Sequence, residues 1–360
     1  MKKRIYNILK NTNVNFLLGA GASKFQVDKP FPLMNDLLRL IVADEKYEAY
    51  KKYFDGSCFN ESIKQILNEF FESDKKDIEE GISKLEGLVP YSVSDEFTGK
   101  LNDFITWIKE KIIQAFDDCS VNESAEKMGE FYFNLVQMNN ERISPLRRLN
   151  IFTTNYDMLS EIALENKGIY YYSGFSGLCK RKFNLALYNY QYSENIGLIK
   201  RDKSSYISQI NLYKIHGSFS WVIDDKSNDL IEIQNYKENK NPVIIYPSSA
   251  KYYSTNLITY YSAMFREFSN QIIKENSSLV VIGSGLNDDH INKIICDALA
   301  LPTFTLIVLA YCPDDSKKSL IEKDLREKFG EKGNVIINIS SDNTIEKLSQ
   351  TLFNGEKDED

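Results

Sequence analysis

Four short clusters of glycine and polar residues follow apolar segments of the chain, and their residue types could carry chemistry. The first cluster, Gly19-Ala20-Gly21-Ala22-Ser23, follows the apolar segment 14–18. A strand that leads into a Gly-x-Gly turn lets a phosphate approach the backbone closely, because glycine has no Cβ and accepts unusual dihedral angles. The third glycine of the dinucleotide fingerprint is absent from the sequence here. The turn therefore fits phosphate binding and an ordinary strand-to-helix connection equally well.

The second cluster, Thr154-Asn155-Tyr156-Asp157, follows the β-prone segment 149–153. Asn and Asp at such a position often cap the next helix, so one interpretation of this spacing is purely structural. The functional interpretation has Asn155 hold a water molecule or a ribose hydroxyl. In the same interpretation Asp157 accepts a hydrogen bond from the sugar or amide of a ligand.

The third cluster, residues 216–218 (His-Gly-Ser), contains one of only two histidines in the chain. His216 follows a predicted strand, and the next residue is a glycine that leaves space beside the ring. Histidine ordinarily titrates near neutral pH and suits the role of a general base. The other histidine, His290, lies at a predicted helix start in residues 287–290, and we interpret it as a surface or capping residue.

The fourth cluster, residues 283–285 (Gly-Ser-Gly), follows the apolar segment 279–282 and precedes a predicted helix from about residue 289. It is either an ordinary strand-to-helix turn or a second backbone surface against a nucleotide. The predicted nucleotide-binding set therefore adds Gly283, Ser284 and Asn287 to the first turn.

The elements that must position these clusters alternate between apolar strands and amphipathic helices. Such alternation predicts an α/β protein with a parallel sheet and helices on both faces, in which ligands lie at the carboxyl ends of the strands. A run of helical patterns without strand signals interrupts it and predicts a large helical insertion. The predicted strands cover residues 14–18, 149–153, 212–215, 243–246, 279–282, 304–310 and 335–339, and the predicted helices cover 33–54, 60–72, 77–90, 95–117, 122–139, 158–166, 257–274, 289 onward, 316–329 and 343–353.

Composition narrows the class of protein. Hydrophobic residues make up 42% of the 360 residues, which indicates a folded globular chain. The formal net charge of −7 argues against a general nucleic-acid binder, although a local basic patch is compatible with it. The sequence has no run of 18 apolar residues, so it predicts no membrane span. The five cysteines are scattered without a C-x-x-C pair, so we expect no zinc ribbon and no disulfide framework, and a cytoplasmic location with free thiols.

An aromatic and basic segment over residues 170–192 has no assigned role. Its interleaved tyrosines, phenylalanines, lysines and arginine could stack single-stranded bases. A mobile flap or a partner-facing hairpin fits an acidic chain better, and packing against the core of the protein itself is a further alternative.

The four clusters occur in the same order as the motifs of the sirtuin superfamily, and the chain resembles that superfamily over about residues 14–310. The resemblance implies a Rossmann-like domain with an inserted module, and NAD as the bound molecule. It also implies site roles for the matching positions: Ala20, Gly21 and Ser23 near phosphates, Asn155 and Asp157 near the nicotinamide ribose, and His216 as the catalytic base.

Two departures favour one branch of the superfamily. The four-cysteine zinc module of deacylase sirtuins is missing, and the long helical run and Pro30-Phe31-Pro32-Leu33 look more like the sirtuin-like NADases of bacterial antiphage defence. That branch implies hydrolysis of NAD to nicotinamide and ADP-ribose, without a metal. It also implies control by self-assembly into a homo-oligomer or by a partner such as a HerA-type ATPase.

We therefore predict three units: a Rossmann-like NAD-binding domain from 1–32 and 146–342, a helical insertion module over 33–145, and a C-terminal helix with a charged tail over 343–360. Two other functions stay open. A protein deacylase would need a channel for an acyl-lysine, and a non-catalytic module would bind ADP-ribose or another nucleotide without turnover.

Overall fold

The computed structural model describes residues 2–55, 78–91, 94–142, 148–194, 205–206, 208–239, 242–244 and 255–353. The predicted helix over 60–72, the predicted strand end at 245–246 and the charged tail over 356–360 lie outside these ranges. In the described part the helices are α1 (Lys2–Asn11), α2 (Met34–Val42), α3 (Glu45–Asp55), α4 (Ile78–Leu88), α5 (Asp95–Asp117), α6 (Val121–Asn140), α7 (Leu159–Asn166), α8 (Thr255–Ile272), α9 (Asp289–Ala298), α10 (Asp315–Phe329) and α11 (Ile345–Thr351).

The strands carry the predicted alternation with several short additions, but of the predicted strand over 243–246 the described residues show only an isolated antiparallel bridge between Ile244 and Gly217. They are β1 (Asn13–Leu18), β2 (Arg148–Thr153), β3 (Tyr171–Tyr172), β4 (Phe175–Ser176), β5 (Arg181–Phe183), β6 (Ser193–Glu194), β7 (Ser205–Tyr206), β8 (Gln209–Lys214), β9 (Trp221–Ile223), β10 (Leu230–Glu232), β11 (Ser277–Ile282), β12 (Thr305–Tyr311) and β13 (Val335–Ser340).

The main sheet is parallel and has the strand order of a Rossmann fold. Within the described residues seven strands lie in the order β13-β12-β11-β1-β2-β8-β3, and every neighbouring pair runs parallel. The chain moves outward from β1 in one direction through β2 and in the other through β11. The order therefore reverses between β1 and β11, and such a switch point opens a crevice at the carboxyl ends of the strands. The predicted α/β class is confirmed.

Helices cover both faces of this sheet, because the strands are apolar on both sides. On one face Phe16 of β1 packs edge-on against Phe131 of α6, with ring centroids 5.9 Å apart. On the opposite face Phe152 of β2 packs against Phe268 of α8 at 4.9 Å. Strands buried on both faces are typical of parallel sheets.

The helical run between β1 and β2 packs against the loops that leave the sheet. Phe116 of α5 contacts Tyr156 after β2 at 6.0 Å and Phe219 after β8 at 5.2 Å between ring centroids. The buried residues of this run belong to the same apolar core as one face of the sheet. The division of the chain into three units stays a prediction.

One predicted helix, over 33–54, is in fact two. Helix α2 ends at Val42, and α3 begins at Glu45 after a break at residues 43–44. Asp44 explains the break, because its carboxylate accepts the Lys46 backbone N–H at 2.9 Å and starts a new helix. Residues 44–46 are all charged and separate the apolar positions of α2 from those of α3, so the sequence held a signal for the break.

A second, antiparallel sheet was not predicted. It has the order β4-β5-β10-β9. Just before β9, Phe219 donates its backbone N–H at 2.9 Å to the carbonyl of Tyr156, which follows β2, so this sheet lies beside the strand ends of the main sheet. Its strands are two or three residues long, too short for an alternating pattern to emerge from the sequence. The N-terminal helix α1, which buries Ile5 and Leu9, was not predicted either. In the described part of the chain we find no helix with the length and apolar character to cross a bilayer.

Candidate functional site

The two glycine turns at the switch point meet backbone to backbone. Gly21 donates its N–H to the Gly283 carbonyl at 2.8 Å, and Gly19 donates to the Ile282 carbonyl at 3.0 Å. A Cβ on Gly19 would lie 2.6 Å from the Cα of Ser284, and one on Gly283, whose φ is +65°, would overlap the amide of Ala22. Glycine is therefore required here for the packing of the turns, whatever the ligand.

The other residues predicted to bind a nucleotide differ in their exposure to solvent. Ala20, Gly283 and Ser284 are half-buried, and Gly21 and Asn287 are exposed. Ala22 and Ser23 are buried beneath the turn. The Ser284 hydroxyl accepts the Leu286 N–H at 3.2 Å and so closes the second turn. Since the Gly283 carbonyl accepts the Gly21 N–H, an anion at these turns would accept from other backbone N–H groups and from the side chains of Ser284 and Asn287.

Asn155 is held directly on the first glycine turn. Its Nδ2 donates to the Gly19 carbonyl at 3.2 Å and to the Ser23 hydroxyl at 2.9 Å. Its backbone N–H donates to the Thr153 hydroxyl at 3.0 Å, and that hydroxyl donates to the Leu18 carbonyl at 3.0 Å. Since the Gly19 carbonyl can only accept, the amide nitrogen must face it. Both side-chain contacts thus use Nδ2 and leave the acceptor Oδ1 of this half-buried residue for a ligand or a water molecule.

Asp157 lies behind the site and supports the turn. It is 6% exposed, and its Oδ1 accepts the Leu159 N–H at 2.8 Å at the start of α7. Its carbonyl accepts a hydrogen bond from the Lys214 ammonium, which also forms an ion pair with Glu161 at 2.9 Å. Burial raises the pKa of the Asp157 carboxyl, and the Lys214 charge opposes that shift. The capping interpretation of Asp157 describes its contacts, and its predicted contact with a ligand stays a prediction.

His216 forms a buried pair with an acid that sequence reasoning did not assign to it. Its Nε2 lies 3.2 Å from Oδ2 of Asp288, and the two side chains are 5% and 9% exposed. His216 follows β8, and Asp288 follows β11. Since β2 and β1 lie between those strands, the pair spans the strand ends that carry Asn155 and Gly19. The pair, the amide and the glycine turns therefore border the same crevice.

Asp288 also begins helix α9. Its Oδ1 accepts the backbone N–H groups of His290 at 2.8 Å and Ile291 at 3.2 Å. Burial raises the pKa of the Tyr261 hydroxyl on α8, and the charge of Asp288 raises it further. His290 is exposed, as predicted for a residue at a helix start.

The sequence contained only a general signal for the Asp288 role. Asp before a helix is an ordinary N-cap, and 72 residues separate it from His216. The alignment of two strand-end clusters at one edge of a sheet was the only available clue. Within the described residues no group of three His, Cys, Asp or Glu side chains is placed to hold a metal ion.

The segment over 170–192 is partly core and partly surface. Tyr188 is buried, donates its hydroxyl to the Leu212 carbonyl at 3.0 Å and stacks on Tyr213 at 4.0 Å between centroids. Tyr170, Tyr190 and Tyr192 are exposed. Packing against the chain's own core therefore accounts for part of its aromatic content.

The strand order and the polar residues at the switch point define a Rossmann-type α/β protein with a candidate binding crevice there. A family model for the SIR2-like domain matches residues 149–335, just over half of the chain. The chain belongs to the SIR2-like domain family, whose members generally act with NAD. The match includes Asn155, His216 and Asp288, whereas β1 and the first glycine turn precede it. No curated protein matches the chain.

Proposed function

We propose that the chain is an NAD⁺ hydrolase that releases nicotinamide and ADP-ribose. The observation that supports this most is the His216–Asp288 pair, which spans the strand ends carrying Asn155 and Gly19. A base held over the switch point and an amide fixed on a glycine turn are the parts that cleavage of a nucleotide needs. The site lies in a family that acts with NAD.

In this proposal the pyrophosphate lies against the two glycine turns and accepts backbone N–H groups other than those of Gly19 and Gly21, which donate to the Ile282 and Gly283 carbonyls. Asn155 Oδ1 accepts a hydrogen bond from the nicotinamide ribose or from the attacking water. Asp157 acts through the turn that it supports, since its Oδ1 serves the Leu159 N–H. No metal takes part.

The reaction breaks the bond between the ribose C1′ and the nicotinamide nitrogen. That nitrogen takes the bonding electron pair, so the positively charged pyridinium leaves as neutral nicotinamide. A water oxygen forms the new bond to C1′, and its proton passes to His216 and then to solvent. The balance is NAD⁺ and water giving nicotinamide, ADP-ribose and a proton.

The test is incubation of the chain with NAD, followed by chromatography of the products. We expect His216→Ala and Asn155→Ala to remove turnover, because loss of a general base alone costs about 10²–10⁴ in rate. His290→Ala is the matched control, since it removes the other, exposed histidine. Intact NAD with the wild-type chain and its partners, or full activity in both site variants, would contradict the proposal.

Two other functions would give different products. A protein deacylase would release the acyl group from an acyl-lysine peptide in an NAD-dependent reaction. A non-catalytic module would bind ADP-ribose without consuming NAD. The resemblance to zinc-less members supports hydrolysis over deacylation.

We further propose that this activity serves antiphage defence by depleting NAD and that assembly controls it. An uncontrolled NAD hydrolase would harm its own cell, so an off-state is required. We propose a homo-oligomer that uses the helical run over 33–145, or a partner such as a HerA-type ATPase. Light scattering over a concentration series beside the NAD assay tests this, and a fully active monomer would refute it. Cellular NAD after phage challenge, compared between wild type and Asn155→Ala, tests the defence role.

A further inference from the structure

We propose that Asp288 is the positioning residue of His216, which it holds in the one tautomer that leaves Nδ1 free to take a proton. The role in turnover rests on the proposed NAD hydrolysis, whereas the tautomer is a property of the protein alone. Asp288 does not contact the reacting atoms in this proposal. It acts only through the ring.

The hydrogen bond between His216 and Asp288 determines which ring nitrogen carries the proton. An ionised carboxylate has acceptors and no donor, so a hydrogen bond to Oδ2 requires that Nε2 carries the hydrogen. A neutral imidazole has one N–H, and Nδ1 is then the basic nitrogen. With the pair 3.2 Å apart and nearly excluded from water, solvent competes little for this contact. The carboxylate also stabilises the imidazolium that forms when Nδ1 accepts a proton.

The carboxylate is itself fixed, which a positioning residue needs. Its other oxygen, Oδ1, accepts the first N–H groups of α9. The preceding turn is closed at Leu286, whose carbonyl accepts Nδ2 of Asn292 at 2.7 Å and the Lys328 ammonium at 3.3 Å. Helix α9 therefore sets the position of the acid, and the acid sets the ring.

The two oxygens have separate tasks, and substitutions can separate them. Asp288→Ser keeps the cap, since serine caps helices about as well as aspartate, but its single oxygen serves the helix and leaves the ring without an anchor. In Asp288→Asn the helix N–H groups require the amide oxygen, so the NH₂ group must face Nε2. That donor forces the ring proton to Nδ1 and inverts the tautomer.

The tautomer can be read directly, because the chain has only two histidines. We would label histidine with ¹⁵N and record ring spectra in mildly alkaline buffer, where a histidine ring is ordinarily neutral. A His290→Gln variant assigns the two rings. We expect the Nε2–H form of His216 in the wild type, the Nδ1–H form in Asp288→Asn and a mixture in Asp288→Ser.

Kinetics then separate positioning from stability. We expect both variants to lower kcat by about 10- to 100-fold, by analogy with hydrogen-bond partners that orient metal-bound histidines, with KM for NAD little changed. Asp289→Asn is the matched control, one residue further on and exposed, and we expect wild-type kcat from it. Thermal unfolding of each variant shows whether the cap survives.

Three results would overturn the inference: an Nδ1–H ring in the wild type, an unchanged ring in both Asp288 variants, or wild-type kcat in both. Failure of the proposed function looks different. If the wild type leaves NAD intact but the ring inverts in Asp288→Asn, the positioning contact stands and the assigned reaction is wrong.

Discussion

The strands β1, β2 and β8 carry polar side chains at both ends, and the two ends use them in opposite ways. At the carboxyl ends lie Asn155 and His216. In the amino-terminal halves lie Asn15, Asn150 and Asn211, which we call the asparagine ladder. These three residues are in register on adjacent strands, on the face that α8 covers.

Within the ladder, protein partners use both ends of each amide. Asn150 Nδ2 donates to Asn15 Oδ1 at 2.9 Å and to Gln271 Oε1 of α8 at 3.2 Å, and its Oδ1 accepts from Asn211 Nδ2 at 3.2 Å. Asn15 Nδ2 donates to the Ser278 carbonyl at 3.2 Å. All three asparagines are at most 5% exposed. The ladder therefore stabilises strand register and has no group to offer a ligand.

At the carboxyl ends, the described residues supply partners for only one end of the same amide. Asn155 donates twice from Nδ2, and those contacts do not use Oδ1. An amide therefore indicates a ligand site when one of its polar atoms is not used by contacts within the protein. Residue type alone would not distinguish Asn150 from Asn155.

The largest effect we expect comes from the matched pair of asparagines on β2 and its loop. Asn155→Ala should lower kcat for NAD by at least about 10²-fold, in the range of a lost catalytic group. Asn150→Ala, only five residues earlier, should keep the activity of its folded fraction. Product chromatography at equal folded concentration measures both. Equal losses in the two variants would mean that Asn155 is structural.

The same pair should reverse its order in stability. Asn150→Ala leaves three buried partners without their contact, and each buried unsatisfied group costs about 1–3 kcal/mol. We therefore expect the free energy of unfolding to fall by about 3 kcal/mol. Asn155→Ala should cost about 1 kcal/mol, because it removes contacts to two partners rather than three and truncates a half-buried side chain whose place water can take. Urea unfolding measures the difference, and a larger loss for Asn155→Ala would refute the contrast.

Two serines sharpen the comparison further. Ser23 accepts Nδ2 of Asn155 at 2.9 Å, so Ser23→Ala removes one of two anchors. One hydrogen bond is worth about 0.5–1.5 kcal/mol, which predicts a loss in kcat of about two- to tenfold. Ser278→Ala is the matched control, since its hydroxyl pairs with Thr12 at 2.7 Å at the opposite end of the sheet. A loss of activity in the control variant, or none in Ser23→Ala, would contradict this assignment.

Sequence reasoning reached the strand ends because turn chemistry is local. The residue types of Gly19, Gly283 and His216, and the apolar run before each of them, predict turns at strand ends. Parallel strands bring such turns to one edge of the sheet. The Rossmann order then follows from the alternation of strands and helices. The sequence could not show why glycine is required at these positions. A side chain on either turn would clash with the other turn across the switch point, and that contact exists only in the folded sheet.

What the sequence did not predict depends on distant or very short features. Asp288 is joined to His216 only by the folded sheet, and the Asn150 register contacts are likewise invisible along the chain. Strands of two or three residues, such as β5 and β10, give no period to detect. The break at Asp44 depends on one side-chain hydrogen bond, to the Lys46 backbone N–H.

The smallest effect we expect is a change in the pH dependence of stability, which arises from the titration of the Asp157 carboxyl behind the site. Burial raises the pKa of its carboxyl above the ordinary value of 3.8 in the folded state. As the pH rises through the window above 3.8, the unfolded chain releases this proton first, so stability falls with rising pH there.

Asp157→Asn keeps an acceptor for the Leu159 N–H and removes that titration. Its free energy of unfolding, relative to wild type, should therefore increase as the pH rises through the window above 3.8. Asp224→Asn provides a control of opposite sign. Lys180 and Ser227 lower the pKa of Asp224 to about 2, so this group stabilises the wild type increasingly as the pH rises from about 2 to 3.8. The free energy of unfolding of Asp224→Asn, relative to wild type, should therefore decrease over that range. Urea unfolding over a pH series distinguishes the two, and a decreasing relative stability for Asp157→Asn would show that Lys214 dominates over burial.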